Sequence, residues 1–297
     1  MVIDVKIVGK GSVHEKLLMG LVGVVALIFL LPLVVTIVNS LMTEKEITWN
    51  FTTQLTSFDL IAGIKEKFQQ IKLIPQQVSL SQYNDVLLNQ PAFLLLLLNS
   101  LKIAVPVTFG ALIVALLSAY GFTVWKWKYK EIIFTVYIVV MLMPLQAVLV
   151  PNYIIADMLH IKANYLAIIL PGIFSPFGVF LMRQSMKFIP PAYFEAAHMD
   201  GANHWQIFWR VVMPQLKSSI AALCMLVFIE YWNLVEQAVI FIDDYTKEPL
   251  SVFLSRMGEG WMGIVFSASC LYMFLPLWFL LLGQKDLEKG IELSGVK

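Results

Sequence analysis

Between residues 218 and 242 the chain reads SSIAALCMLVFIEYWNLVEQAVIFI, apolar except for Glu230, Asn233, Glu236 and Gln237 among its interior positions. On one continuous helix these four stand at i, i+3, i+6 and i+7, one face within about a turn's tolerance, with Tyr231 and Trp232 beside them. A carboxylate in hydrocarbon is expensive and faces a protein interior, a cavity or water. Planar hydrogen-bonding groups next to flat apolar rings suit the hydroxyls and ring faces of a carbohydrate. The six residues are therefore candidates for a solute pathway. Two bland roles compete: the aromatics pack between helices, and Glu236 anchors at the membrane interface.

A second constellation lies just upstream, in RQSMKFIPPAYFEAAHMDGANHWQIFWRVVMPQLK at residues 183–217. Pro190-Pro191 stops a preceding helix and suits the first positions of a new one. Residues 192–199 favour helix, with Glu195 in an early turn where a carboxylate is favoured. Asp200-Gly201 is a turn or break. From Asn203 a second helix places Trp205, Phe208, Trp209 and Val212 at i, i+3, i+4 and i+7, an apolar face that Pro214 closes off. Such a knob either lies on the membrane surface as a linker or docks a cytosolic partner, and composition does not choose.

Catalytic chemistry has little support. The chain has no GxxxxGK[ST] phosphate loop, no HExxH and no GxSxG, and no paired carboxylates flank a glycan cleft. His198 and His204, six apart across Asp200, are read as solvent-facing or capping groups rather than as metal ligands, and no metal or cofactor is expected in this chain. Cys224 and Cys270 lie in apolar surroundings as small hydrophobes.

The elements that position these residues follow from composition. Of 297 residues, 59% are hydrophobic and 14% charged, against a usual ~45–50% and about a quarter. Uncharged runs cover 17–42, 103–125, 132–156, 163–182 and 260–284, each at least 20 residues and long enough to cross a bilayer core as a helix. With 218–242 as the fifth in order, they predict an all-α polytopic membrane protein of six spans. A soluble α/β enzyme is excluded. The second span has apolar character from Ala92 to about Tyr120, so it is tilted or begins outside the hydrocarbon. The net charge of +1 argues against nucleic acid as a partner. Apart from Lys102 within the second apolar stretch, 13 basic residues lie on the side holding both termini and 7 on the other, so both termini are expected in the cytoplasm. The expected organisation is a cytoplasmic tail at 1–16, a six-helix transmembrane domain at 17–284 with an extracytoplasmic loop at 43–91 and a cytoplasmic loop at 183–217, and a cytoplasmic tail at 285–297. A short surface helix is expected at 63–73, and Asn50-Phe51-Thr52 is a weak glycosylation pattern.

Residues 195–214, EAAHMDGANHWQIFWRVVMP, resemble the EAA loop of ATP-binding cassette importer permeases through Glu195, Ala196, Ala197, Asp200, Gly201, Ala202, Phe208, Val211 and Pro214. Met213 stands where that family usually has leucine. Asn99-Ser100-Leu101, Pro144, the run from Val150 to Pro171, Trp232-Asn233 and the tail KGIELSGVK with Gly290, Gly295 and Lys297 resemble the carbohydrate-uptake branch that includes the second permease of maltose importers. Glu230-Tyr231 and the Leu-Val-Glu after Asn233 are less typical of it. The resemblance implies coupling helices in the 183–217 loop, with Trp205 beside the matched positions. It also implies a homologous permease as heterodimer partner, two copies of a cytosolic ATPase that carries the ATP and magnesium, an extracytoplasmic solute-binding protein, and a bacterial or archaeal plasma (inner) membrane location. The competing functions are an ion- or proton-coupled carrier using Glu230 and Glu236, and a membrane scaffold without transport activity.

Overall fold

The computed structural model describes residues 13–51, 72–256 and 262–295, and every regular element among them is helical. The N-terminal residues 1–12, most of the surface helix expected at 63–73, and Lys297 lie outside the described residues. Two compact units result: Met1–Asn89 with Met257–Cys270, and Gln90–Arg256 with Leu271–Lys297.

In the first unit, α1 (Val13–Ser40) is an apolar helix whose most hydrophobic window has no buried residue among the described residues. Its surface is left for lipid or another subunit. The chain then turns into α2 (Glu44–Phe51), where Met42, Ile47 and Phe51 form a small core with Val38, Met262 and Phe266. Glu46, nearly buried on α2, accepts the backbone N–H of Gln76 with both carboxylate oxygens at 3.0 and 3.2 Å. The Ser40 hydroxyl lies 2.7 Å from that of Tyr83 on α3 (Ser81–Asn84).

The second unit is organised around α4 (Pro91–Val124), 34 residues long. At 1.5 Å per residue that is about 50 Å, more than a bilayer core, as the long apolar stretch of the sequence required. Ala111, Ala115 and Ala119 are buried along it, and a Cβ added at Gly178 would stand 3.2 Å from that of Ala115. Small residues let neighbouring backbones approach closely where lipid supplies no hydrophobic drive between helices.

Among the described residues, four segments are long and apolar enough to cross a membrane by themselves: Lys16–Ser40, Ala92–Val124, Leu166–Lys187 and Met262–Asp286. The third expected span is instead a pair, α5 (Lys130–Met141) and α6 (Leu145–Met158), bent by 102°. Pro144 between them is extended and cannot donate a helix hydrogen bond. The fourth is interrupted between α7 (Leu166–Ile173) and α8 (Pro176–Lys187), where the Ser175 hydroxyl caps α8 by accepting the Gly178 N–H at 3.1 Å. Counting each bent pair as one span brings the total to at most six.

The expected fifth helix is not continuous. α9 (Pro191–Met199) and α10 (His204–Ile207) lead through a π-turn at Phe208–Val212 and a short turn α11 (Met213–Gln215) into α12 (Lys217–Trp232), with a 79° bend. Pro214 therefore does not close the second short helix. It sits in the first turn of α11, where its missing N–H is no loss. After α12 the backbone breaks at residues 233–235 before α13 (Glu236–Phe241). Arg183, counted by sequence among loop charges, is a buried residue of α8. It donates to Glu131 at 2.6 Å with its guanidinium 3.7 Å from the centre of the Phe134 ring. The remaining elements are a π-turn at Asp85–Asn89, α14 (Leu250–Arg256) and α15 (Met262–Gly295).

Candidate functional site

Two of the helix breaks in the second unit, together with the last turn of α12, border a cavity of about 550 Å³. Its wall includes Met143 and Leu145 at the α5–α6 bend, Pro171 and Ser175 at the α7–α8 break, and Glu230 and Tyr231 near the end of α12. Irregular backbone at membrane depth is tolerated where it lines a cavity or is covered by protein, because freed N–H and C=O groups need partners. Tyr231 lies close to the chain of α7: a Cβ at Gly172 would stand 2.7 Å from its hydroxyl, so only glycine leaves it this place. Asn152 and Ser175 add polar groups to the lining. Sequence reading passed over both, since an isolated Asn or Ser in an apolar run carries no periodic signal.

The break at 233–235 disperses the rest of the expected polar face. Glu236 opens α13 and accepts the Gln146 side-chain amide of α6 at 3.1 Å, while Gln237 is half-buried on α13. Trp232, expected beside the solute, is fully buried. It stacks on Tyr272 at 5.0 Å and Phe228 at 5.5 Å, and its backbone carbonyl accepts the Tyr272 hydroxyl. Asn233 caps α12: its amide donates to Ile229 O at 3.0 Å and its Oδ1 accepts the Tyr272 hydroxyl at 3.2 Å. Both polar atoms of the amide are thus engaged within the protein. Asn233→Ala is accordingly expected to lower the yield of folded protein, by about 1 kcal/mol for lost hydrogen bonds, and to leave the KM for uptake unchanged. Yield and uptake measured together check this; a raised KM at normal yield would mean that Asn233 touches solute.

The second constellation forms an exposed corner. Helix α9 buries no residue, and Glu195, Ala196, Asp200, Gly201 and Trp205 are all exposed. Its end has the hydrogen-bond pattern of a Schellman cap: Ala202 N–H to Ala197 O and Gly201 N–H to His198 O, each 3.0 Å, with Gly201 at φ +75°. The Ala-Ala and Asp-Gly-Ala of the sequence thus spell a helix stop, in which Ala197 and Ala202 meet the core. Asn203 and Gln206 then form a reciprocal capping box that starts α10. The aromatic stripe divides in two. Phe208 and Val212 are buried, with Phe208 edge-on to Tyr120 at 5.3 Å, whereas Trp205 and Trp209 stay exposed. Tyr120 of α4 also donates to the His204 carbonyl at 3.1 Å, tying this corner to the central helix. The His198 and His204 rings are 5.5 Å apart, and no group of three or more metal-type side chains occurs among the described residues.

Asn99-Ser100 acquires a physical role as well. The buried Asn99 amide donates to the carbonyls of Thr246 at 2.8 Å and Glu248 at 3.2 Å, and the Ser100 hydroxyl accepts the Leu250 N–H at 2.9 Å. Together they fasten the loop before α14 to α4. In that loop the Thr246 hydroxyl and N–H hold the Asp244 carboxyl below the usual carboxylate range.

The chain thus combines an all-α membrane fold, broken helices beside a partly polar cavity and an exposed capped helix pair. The profile of the family described as "Binding-protein-dependent transport system inner membrane component" matches residues 111–282, more than half of the chain. The chain belongs to that family: it is a membrane permease component of an ABC-type importer, not an enzyme, and ATP hydrolysis falls to a separate subunit. Similar proteins include the lactose transport system permease of Rhizobium radiobacter, 30% identical over 55% of this chain and 60% of that protein. The arabinooligosaccharide transport system permease of Bacillus subtilis (strain 168) is 28% identical over 75% of this chain and 80% of its own length. The sn-glycerol-3-phosphate transport system permease of Pectobacterium atrosepticum is 28% identical over 68% and 74%. The crystal structure of a bacterial ABC transporter involved in the import of the acidic polysaccharide alginate contains a chain of the same fold, with a TM-score of 0.75 at 22% identity, covering 93% of this chain and 99% of that one.

Proposed function

We propose that this chain forms half of the translocation pathway of an ATP-driven importer for a sugar or small oligosaccharide. In this reading it crosses the plasma membrane of a bacterium or archaeon six times with both termini in the cytoplasm, α5–α6 and the α12 region each serving as one span. It pairs with a homologous permease, receives solute from an extracytoplasmic binding protein, and engages one of two copies of a cytosolic ATPase through α9 and α10. Residues Glu195 to Ala202 and Trp205 would make that engagement, with buried Phe208 holding the corner from within and Pro214 starting the turn that leads on to α12. ATP and magnesium belong to the ATPase.

The observation that supports this most is the cavity where Glu230 and Tyr231 of α12 meet the breaks between α5 and α6 and between α7 and α8. Its wall combines a carboxylate, a phenol, Asn152 and Ser175 with apolar surface, a mixture suited to hydroxyl-rich solutes. Lactose and arabinooligosaccharide permeases among the relatives support the solute class; the glycerol-phosphate relative is the reason for testing an anionic solute alongside. Glu230→Gln keeps the shape and removes the charge. In a reconstituted importer it is expected to raise the KM for a neutral oligosaccharide about tenfold, roughly the value of a charge-assisted hydrogen bond, with ATPase association unchanged. Unchanged KM would remove Glu230 from the pathway. Uptake driven by a proton gradient without ATP would establish the carrier alternative.

A further inference from the structure

A second groove lies at the C-terminal end of α4. Its volume is about 850 Å³, between the last two turns of α4 and the first half of α5, and its wall includes Ser118, Gly121, Trp125, Lys126, Trp127 and Tyr137. The floor is Phe122, buried and packed edge-on against Phe134 at 5.7 Å and Tyr137 at 5.6 Å. Toward one end it opens beside Leu117, an exposed side chain on the apolar length of α4. At the other end Lys126 lines the groove with Trp125 and Trp127; Lys128 and Lys130 follow it in sequence, alternating with Trp127 and Tyr129. Lys126 and Lys128 are exposed, and none of the three lysines has an ion-pair partner within 4 Å among the described residues. The nearest acid in sequence, Glu131, is held by Arg183.

We propose that this groove binds one anionic phospholipid, its phosphate at Lys126 with Lys128 and Lys130 around it and its upper acyl chain over Gly121 and Ser118. The arrangement has the order of a lipid: an apolar trough continuous with a membrane helix, indole rings at headgroup level, then a cluster of cations. Charge complementarity selects an anionic over a zwitterionic headgroup. Each lysine near the surface contributes about a fivefold gain in affinity for anionic lipid at moderate ionic strength. Gly121 keeps the trough open; a Cβ there would meet only Trp125, at 3.9 Å. A larger side chain therefore fills the trough without straining the helix. The proposal rests on the reading that α4 and α5 enter the bilayer, but not on the identity of the solute or on the ATPase contact.

The test uses the full chain purified in detergent, titrated with phosphatidylglycerol or phosphatidylcholine and read by native mass spectrometry. One phosphatidylglycerol is expected per chain, bound at least tenfold more tightly than phosphatidylcholine. Lys126→Gln/Lys128→Gln/Lys130→Gln should lose at least tenfold in affinity for phosphatidylglycerol, and the corresponding triple Arg variant should retain it. Gly121→Leu, with every lysine present, should abolish the bound lipid. Equal affinity for the two lipids, or unchanged phosphatidylglycerol binding in the triple Gln variant, would overturn the proposal. Displacement of the lipid by millimolar inorganic phosphate alone would reassign the site to a free anion. Loss of ATPase association in Gly121→Leu with lipid binding intact would make the groove a protein seat. A failure of uptake with these lipid results intact would count against the importer reading only.

Discussion

Gly201→Val is expected to reduce stimulation of the ATPase by loaded binding protein at least tenfold while leaving the amount of permease in the membrane within about twofold of wild type. The residue occupies the left-handed region at φ +75°, and no atom outside its neighbours lies within 4 Å of where a Cβ would stand. The cost is thus one of backbone rather than of collision. An L side chain in this region costs about 1–2 kcal/mol, and more when β-branched. The least expensive escape is to release the Schellman cap, which frees the His198 and Ala197 carbonyls and lets α9 turn away from α10. Because α9 has no fully buried residue and meets the core only through Phe194 and Ala197, this loss falls on geometry before it falls on global stability. Gly201→Asn, which tolerates the left-handed region, should recover most of the stimulation. Glu195→Ala should act by another route, removing an exposed charge while the cap stays intact. Pull-down of the ATPase and reconstituted ATP turnover decide the matter: wild-type stimulation in both Gly201→Val and Glu195→Ala would refute ATPase engagement at this corner.

Trp232→Ala should have the largest effect on stability in the molecule, on the order of 3–5 kcal/mol for a fully buried indole. The ring is enclosed between Phe228 and Tyr272, and Phe228 in turn meets Phe279 at 5.3 Å, so its removal leaves a void in the seam between α12 and α15. Within a bilayer the loss is mainly one of dispersion contacts, since lipid chains are as apolar as the neighbours of the ring. Thermal unfolding of the purified chain in detergent measures it. A midpoint within 2 °C of wild type would show that the stack carries little energy. Trp232→Phe, which keeps a flat ring in the stack, should recover more than half of the loss. Solute KM in that variant should be unchanged, because the side chain does not reach the cavity.

Several features were accessible from residue types and spacing because they are local. Twenty apolar residues in a row have one inexpensive backbone conformation in lipid, so the long helices could be read directly from composition. The Asp-Gly pair announced a corner, and the Glu-Ala-Ala and Asp-Gly-Ala pattern around it is the cap itself written in sequence, with Gly201 at the one position that demands a positive φ. Periodicity misled where it assumed an unbroken helix. Glu230 and Glu236 share a face only if residues 233–235 are helical, and the chain breaks there with Asn233 capping α12 and Glu236 paired to Gln146, 90 residues away in sequence.

The amino-acid sequence by itself determined that this is a helical membrane chain, where its exposed corner lies, and that it carries no phosphate-binding loop, since each depends on neighbours within about twenty positions. Tertiary structure alone decided which polar groups meet. The partnership of Asn99 with Thr246 and Glu248, the burial of Arg183 against Phe134 and Glu131, and the gathering of Tyr231, Asn152 and Ser175 around one cavity all join residues from separate helices. Small side chains set those pairings by letting helices approach. Gly172 admits the Tyr231 hydroxyl and Gly178 admits Ala115, and a glycine in a membrane helix does not announce which neighbour it will receive.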